Sequence, residues 1–134
     1  MFRECFLERL TEVSLPIQDL TRYVSEVGSG RVAEVRKLAG AVQAHLEGGA
    51  IWHINSTAVG GGVAEMLPAI IGYCRDLGLD ARWLVISGKP DFFRITKRLH
   101  HALHGEPGDG CVLDDDARRI YEQTLDANLS ELLA

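Results

Sequence analysis

The sequence predicts an α/β fold with a short parallel sheet and flanking helices, and three observations support that prediction. Residues 50–55 and 81–86 are dense in β-forming residues, and glycine or aspartate turn signals bound each segment. Between them, the apolar residues of 62–77 recur at spacings of three and four, and Gly78 follows as a helix stop. With 46% hydrophobic and 25% charged residues, the 134-residue chain has the composition of one globular domain. The pattern predicts one β-α-β unit.

Helices are predicted before and after the first strand. Apolar spacing favours a helix over residues 31–47, which two glycines close. Residues 18–27 form a shorter predicted helix after a proline, and the mixed signals of residues 1–13 also favour a helix. In the helix between the strands, Pro68 is expected to bend the axis or to move the first helical residue toward Glu65.

Two further helices are predicted after the second strand. Pro90 and Asp91 begin a helix that continues to about Gly105. A loop follows, and the acids at 114–116 place negative charge at the start of a final helix, Asp115–Leu133. A calcium site is the alternative for these acids, and a helix N-terminus is the favoured interpretation.

The predicted sheet is incomplete. A single β-α-β crossover supplies two parallel strands, whereas parallel sheets have both faces covered and more strands in the row. Three explanations stay open: the chain is a fragment of a larger α/β protein, another subunit supplies the missing strands, or the early segments of the chain pair with the sheet.

Charge and cysteine content exclude several classes of protein. The chain has 14 Lys and Arg against 19 Asp and Glu, a net charge of −5, which argues against nucleic acid as a partner. No apolar run approaches the roughly 20 residues that span a bilayer, and the N-terminus lacks the pattern of a secretory leader, so we expect a cytoplasmic protein without a membrane partner. Cys5, Cys74 and Cys111 are odd in number and widely spaced, which suits neither a disulfide framework nor a metal site.

The most informative feature is the run of three glycines, Gly60, Gly61 and Gly62, between the first strand and the helix after it. Glycines at such a turn allow a ligand to approach the backbone closely, and the free N–H groups of a helix start favour an anion. The carboxyl end of a strand is also where ligands bind in open α/β sheets. A tight turn that needs glycine only for packing is the alternative. The run matches neither the P-loop nor the dinucleotide-binding fingerprint.

Several motifs around this loop occur together and in order. They are WHINSTA at residues 52–58, GGGVAEML at 60–67, LGLDARWLVI at 77–86, FFRITKRLH at 92–100 and LHG at 103–105. Over roughly residues 10–134, the chain strongly resembles the N-terminal region of trehalose synthases of the glycosyltransferring type.

That resemblance implies a fold and a reaction. Members of glycosyltransferase family 4 have the GT-B fold, in which two Rossmann-like domains face each other across a cleft. They join a nucleotide-activated glucose to free glucose with retention and form trehalose. The resemblance therefore implies a partial Rossmann-like N-terminal domain over residues 49–134, preceded by helical segments over residues 1–48, in one apparently truncated domain. It implies ADP-glucose or UDP-glucose as a substrate rather than a cofactor, with a sugar as the other small-molecule partner.

The resemblance also suggests which residues line the cleft. It places the loop of Gly60, Gly61 and Gly62 near the donor phosphates and the transferred sugar. The side chains expected to line the cleft with it are Asn55, Ser56, Glu65, Lys97 and His100. A solvated helix face is the alternative for Lys97, and a helix first-turn acid is the alternative for Glu65. No residue is assigned a catalytic role, because the domain that carries most donor contacts in the family lies outside the matched region, and the isolated chain is expected to be inactive.

Two further hypotheses stand beside this one. His100 and His104 have the spacing of zinc ligands on a helix, but no Glu or Cys completes a set, so a histidine cluster without metal is favoured.

The other functional hypothesis is a non-catalytic homodimer that derives from the same family, pairs its sheet edges across subunits and serves as a sugar-binding or interaction module.

Overall fold

The computed structural model describes residues 9–134, which form an α/β structure. Its strands are β1 (Thr11–Glu12), β2 (Ile51–Asn55) and β3 (Ala81–Val85). A 3-10 turn at Leu20–Tyr23 leads into the helices α1 (Val24–Val27), α2 (Ser29–Leu46), α3 (Gly62–Asp76), α4 (Pro90–Leu103) and α5 (Asp115–Leu133). The chain divides into two compact units, one over residues 12–85 and one over residues 86–134 with the described residues up to Thr11. No helix within residues 9–134 combines the length and the apolar character that a membrane crossing requires.

Most of the predicted elements are confirmed. Both predicted strands are present, α5 has the predicted bounds, and α4 ends two residues before Gly105. The region 18–27 contains only the 3-10 turn and the single turn of α1. The helix predicted over residues 1–13 is wrong at Thr11–Glu12, which is β1; residues 1–8 lie outside the described residues. β1 is a strand because it pairs with β3, and next to it the Val13 N–H donates to the Trp83 carbonyl oxygen at 2.8 Å.

The sheet has the order β1-β3-β2, with β2 and β3 parallel. The register pairs Ile51 with Ala81 and Asn55 with Val85. The middle position of β3 explains its composition, because four of its five residues are buried whereas β2 alternates between half-buried and exposed residues. An early segment of the chain thus adds the third strand, as one of the three open explanations allowed.

Helix α3 begins at Gly62 and continues through Pro68 to Asp76, so the alternative start toward Glu65 is wrong. It packs on β3 and buries Leu67 and Ile71. The connection from β2 to β3 is therefore a helix that covers the middle strand, as the β-α-β pattern predicts.

Backbone and side-chain hydrogen bonds hold the segment before the 3-10 turn against α3. The Gln18 N–H donates to the Gly72 carbonyl oxygen at 3.1 Å, and Arg75 Nη1 donates to the Leu15 carbonyl oxygen at 2.7 Å. Arg75 Nε also donates to the Ala81 carbonyl oxygen at 2.8 Å. Gly72 permits this close approach, because a Cβ there would lie 2.6 Å from Gln18 Cγ.

In the unit of residues 86–134, α4 packs against α5. The rings of Phe92 and Tyr121 stack with centroids 5.7 Å apart. Asn128, which is buried, accepts the Ser87 N–H at 2.7 Å and donates to the Ser87 carbonyl oxygen at 2.9 Å. The Asn128 amide of α5 thus pairs both the N–H and the C=O of Ser87, a buried residue that follows β3.

We predict that Gly72→Ala lowers the free energy of unfolding by about 1–3 kcal/mol, because the new methyl group must displace Gln18 and the carbonyl oxygen of Pro16. Gly40→Ala is the matched control, since Gly40 is also helical but has no atom within 4 Å of its Cβ position. It should raise the free energy by about 0.5–1 kcal/mol through helix propensity. Urea unfolding of the whole chain measures both; equal changes in the two variants would contradict the packing argument.

We also predict that Asn128→Ala lowers the free energy of unfolding by about 2–4 kcal/mol, because the buried N–H and C=O of Ser87 lose their partner. Gln123→Ala, on the exposed part of the same helix, should change stability by less than about 0.5 kcal/mol. Thermal and urea unfolding of both variants test this prediction, and a loss at position 128 as small as at position 123 would refute it.

Candidate functional site

The turn from β2 into α3 depends on backbone that favours glycine. Gly60 has φ of +75° and Gly61 has φ of +84°, in the region that L side chains rarely adopt. A Cβ added at Gly60, Gly61 or Gly62 would meet no atom within 4 Å. These glycines are therefore not packed against the described part of the chain, and they leave open space over the loop. This observation disfavours the alternative in which the glycines serve packing alone.

The N-terminus of α3 is open to a ligand. Its N-cap residue is Gly61, which has no side chain to accept a hydrogen bond. The Glu65 N–H donates to the Gly61 carbonyl oxygen at 3.2 Å. The N–H groups of the first three helical residues therefore lack an intrahelical acceptor. Together with the helix dipole they favour an anion or a hydroxyl oxygen at this end.

Asn55 is the last residue of β2 and is oriented by the next strand. Its side-chain oxygen accepts a hydrogen bond from the indole Nε1–H of Trp83. Among the described residues, no hydrogen bond involves the amide nitrogen of Asn55, so its donor groups are available at the carboxyl end of the strand. The half-buried side chain is thus held in one orientation, as a binding residue requires.

The loop between β2 and α3 contains an internal bond that the sequence analysis missed. The Thr57 hydroxyl donates to the Val59 carbonyl oxygen at 2.8 Å and accepts the Val59 N–H at 3.1 Å. A Ser/Thr turn next to glycines was the available signal. Ser56 and Glu65, both predicted to bind substrate, are exposed on either side of this turn.

Lys97 and His100 lie on α4, in the other compact unit, and both are exposed. The His100 ring lies 4.2 Å from the His104 ring, and His104 Nδ1 bonds to the His100 carbonyl oxygen at 2.8 Å. The glycine loop and this pair belong to different compact units, so the cleft that the two groups were expected to share stays a prediction.

The histidine cluster of α4 has partners other than a metal. His101 Nδ1 bonds to the Glu106 carboxylate. Within residues 9–134, no group of three His, Cys, Asp or Glu residues is arranged to hold a metal ion. The acids before α5 also have a structural explanation, because Asp114 accepts the Ala117 N–H at 2.9 Å as the N-cap of that helix.

Of the two cysteines in the described residues, Cys74 is not an activated nucleophile. Burial raises the pKa of the Cys74 thiol, which keeps it protonated at neutral pH. Cys111 is free and exposed.

Comparisons with known proteins agree with the motifs around the loop. The family described as "Trehalose synthase, N-terminal domain" matches residues 53–134. The chain is 36% identical to a trehalose synthase of Pyrococcus horikoshii over 110 residues, which is 82% of this chain and 25% of that protein. It is 38% identical to a trehalose synthase of Rubrobacter xylanophilus over 104 residues, 78% of this chain and 23% of that protein. A trehalose phosphorylase of Grifola frondosa is 39% identical over 106 residues, 79% of this chain and 14% of that protein.

The chain thus spans a quarter or less of the length of these relatives. The family match covers more than half of the 134 residues and includes the glycine loop, α3, β3, α4 and α5. The chain therefore belongs to the trehalose synthase family, and residues 53–134 match that family's N-terminal domain.

Proposed function

We propose that the chain is the N-terminal part of a retaining glycosyltransferase that makes trehalose from a nucleotide-activated glucose and glucose. The observation that carries the proposal is the loop of Gly60, Gly61 and Gly62, which presents unpaired N–H groups and open space at the carboxyl end of β2. In α/β sheets, this end of a strand is where ligands bind. The trehalose-related names of the relatives support the substrate class.

The loop suits a sugar that carries a phosphate. Backbone N–H groups can bind phosphate oxygens or sugar hydroxyls, and the helix dipole adds favourable charge for an anion. The Asn55 amide, the Ser56 hydroxyl and the Glu65 carboxylate are suited to sugar hydroxyl groups. Lys97 and His100 stay proposed substrate-binding residues, as the resemblance implies.

The loop alone does not supply the charge that the reaction requires. Departure of a nucleoside diphosphate develops negative charge, which transferases stabilise with several preorganised donors. Residues 56–65 contain no Lys or Arg, so this segment offers neutral donors alone. We therefore propose that further cationic groups come from a facing domain, and that the 134 residues by themselves bind substrate without turning it over.

The relatives leave a second donor to consider. Some are named synthases and others phosphorylases, and trehalose is common to both names. A nucleotide sugar and glucose 1-phosphate share the phosphate that the loop would bind, so a titration with both separates the two possibilities. We also propose a cytoplasmic location, which suits a chain whose Cys74 and Cys111 form no disulfide within the described residues.

We predict that Gly61→Val weakens sugar or nucleotide-sugar binding by at least about tenfold. The valine side chain would fill the open space over the loop, and it would strain a backbone that has positive φ. Calorimetric titration of the whole chain with glucose, trehalose, ADP-glucose, UDP-glucose and glucose 1-phosphate measures the effect. Gly28→Val is the matched control: Gly28 is the N-cap of α2, has the same φ of 84° and ψ of 151°, and also has no atom within 4 Å of its Cβ position.

Unfolding curves separate strain from binding in this experiment. Both valine variants should lose similar stability, while Gly28→Val should bind like the unchanged chain. Gly62→Ala adds a methyl group without a positive φ or a clash and should also weaken binding. Unchanged affinity in both loop variants would contradict the proposed role of the loop.

We further predict that the purified chain forms no trehalose from glucose with ADP-glucose, UDP-glucose or glucose 1-phosphate, since neutral loop donors do not balance the charge of the leaving group. Chromatography of long incubations at high protein concentration checks this outcome, with a full-length family member as the positive control. Trehalose above the level of a heat-denatured sample would show that these residues contain a complete active site.

A further inference from the structure

Ser87 and Asn128 are the two buried polar residues in the part of the chain that the structure describes, with exposed fractions of 9% and 5%. Both polar atoms of the Asn128 amide bond to backbone. Its oxygen accepts the Ser87 N–H, and its nitrogen donates to the carbonyl oxygens of Ser87 and Thr124. A buried amide is costly unless its groups are paired, and here the pairing holds the backbone of one residue through both its N–H and its C=O. Helix α5 therefore dictates the position of Ser87.

The residue after Ser87 is held as closely. A Cβ added at Gly88 would lie 2.7 Å from Phe92 Cδ1. The Phe92 ring is almost fully buried and stacks on Tyr121, so it has no room to move aside. Ser87 and Gly88 thus belong to a short, rigid connection between β3, which ends at Val85, and the start of α4.

The Ser87 hydroxyl takes no part in these contacts. No hydrogen bond within residues 9–134 involves its Oγ atom, whereas every side-chain oxygen or nitrogen that is sealed from solvent there has a partner. The hydroxyl therefore reaches the surface, although the rest of the residue is buried. An alanine at this position would make the same backbone bonds to Asn128, so the contacts described above do not require the hydroxyl.

The position of this hydroxyl in the chain is one where α/β proteins bind ligands. β2 and β3 are parallel and end in register at Asn55 and Val85, so both carboxyl ends lie at one edge of the sheet. Ser87 is the second residue beyond β3. We propose that Ser87 binds a hydroxyl group of the sugar substrate and that Asn128 is the positioning residue that holds it. This role rests on the proposed function, to which it adds a binding residue after the second strand.

The chemistry of the group indicates which part of the substrate it binds. A serine hydroxyl both donates and accepts a hydrogen bond, as a sugar hydroxyl does, whereas an ionised phosphate oxygen only accepts. The Ser87 N–H, which would favour an anion, is already bonded to Asn128. The residue thus offers one neutral hydroxyl on a fixed backbone. Such a group loses little conformational freedom when it binds a ligand.

Ser87→Ala tests the proposal, because it removes the hydroxyl and keeps both backbone bonds to Asn128. We expect an unchanged urea midpoint and a three- to tenfold weaker binding of glucose and trehalose in NMR titrations, about the effect of one neutral hydrogen bond. Binding of inorganic phosphate should not change. Ser130→Ala is the control on α5: its hydroxyl is exposed and bonds to the Asp126 carbonyl oxygen, and its loss should leave sugar affinity unchanged.

Deoxyglucoses test for direct contact between Ser87 and the sugar. The deoxyglucose that lacks the partner hydroxyl should bind the unchanged chain and Ser87→Ala equally, while the other deoxyglucoses keep the full difference. If Asn128 acts through Ser87, Asn128→Ala should weaken glucose binding in the unchanged chain and cause no further loss in Ser87→Ala. These titrations are made at a temperature where unfolding curves show each variant folded; the Ser87→Ala results decide the contact if Asn128→Ala does not fold.

The outcomes separate this role from the proposed function. If Gly61→Val weakens glucose binding and Ser87→Ala does not, the function stands and the role of Ser87 is overturned. Equal losses for phosphate and glucose, or the same loss with every deoxyglucose, would overturn the contact with a sugar hydroxyl. A further loss on adding Asn128→Ala to Ser87→Ala would overturn the positioning role. If the unchanged chain binds none of the sugars, the proposed function and this role are both overturned.

Discussion

The hydrogen-bonding groups of β3 are shared between two neighbouring strands, and the structure of residues 12–85 depends on that sharing. β3 pairs with β2 along five residues and with β1 on its other side. Around it, Val13 bonds to the Trp83 carbonyl oxygen, and Arg75 bonds to the Ala81 carbonyl oxygen and to Leu15. A buried strand must satisfy all its backbone groups, so the position of β3 dictates where α3 and the N-terminal segment can lie.

The same strand determines the candidate site. Trp83 is almost fully buried, and its indole N–H needs a partner, which Asn55 supplies at the end of β2. The hydrogen bond that satisfies a core side chain therefore also orients a binding residue. By contrast, Gly60 and Gly61 adopt positive φ values and α3 lacks a side-chain N-cap. The stable part of this unit is the strand pair, and the open part is the loop that follows it, which is the arrangement expected of a ligand site on a rigid scaffold.

The sequence predicts the elements whose evidence is local and misses those that depend on distant partners. β2, β3, α3, α4 and α5 follow from apolar spacing and turn residues, and the glycine loop follows from its position between a strand and a helix. β1 has only two residues and no period of its own, so its pairing with β3 overrides a mixed local signal. The hydrogen bonds between Asn128 and Ser87 join residues that are 41 apart in the sequence, so no local pattern predicts them. In the site, the glycines could be predicted, but the orientation of Asn55 by Trp83 could not.

The carboxyl end of β2 joins the rigid and the open parts of this unit. Asn55 lies opposite Val85 in the register, and its side-chain oxygen accepts the indole N–H of Trp83, so β3 holds both its backbone and its side chain. α3 begins at Gly62 without a side-chain N-cap. The segment between these two points contains Gly60 and Gly61, and it is therefore the part of the candidate site whose position the scaffold does not dictate.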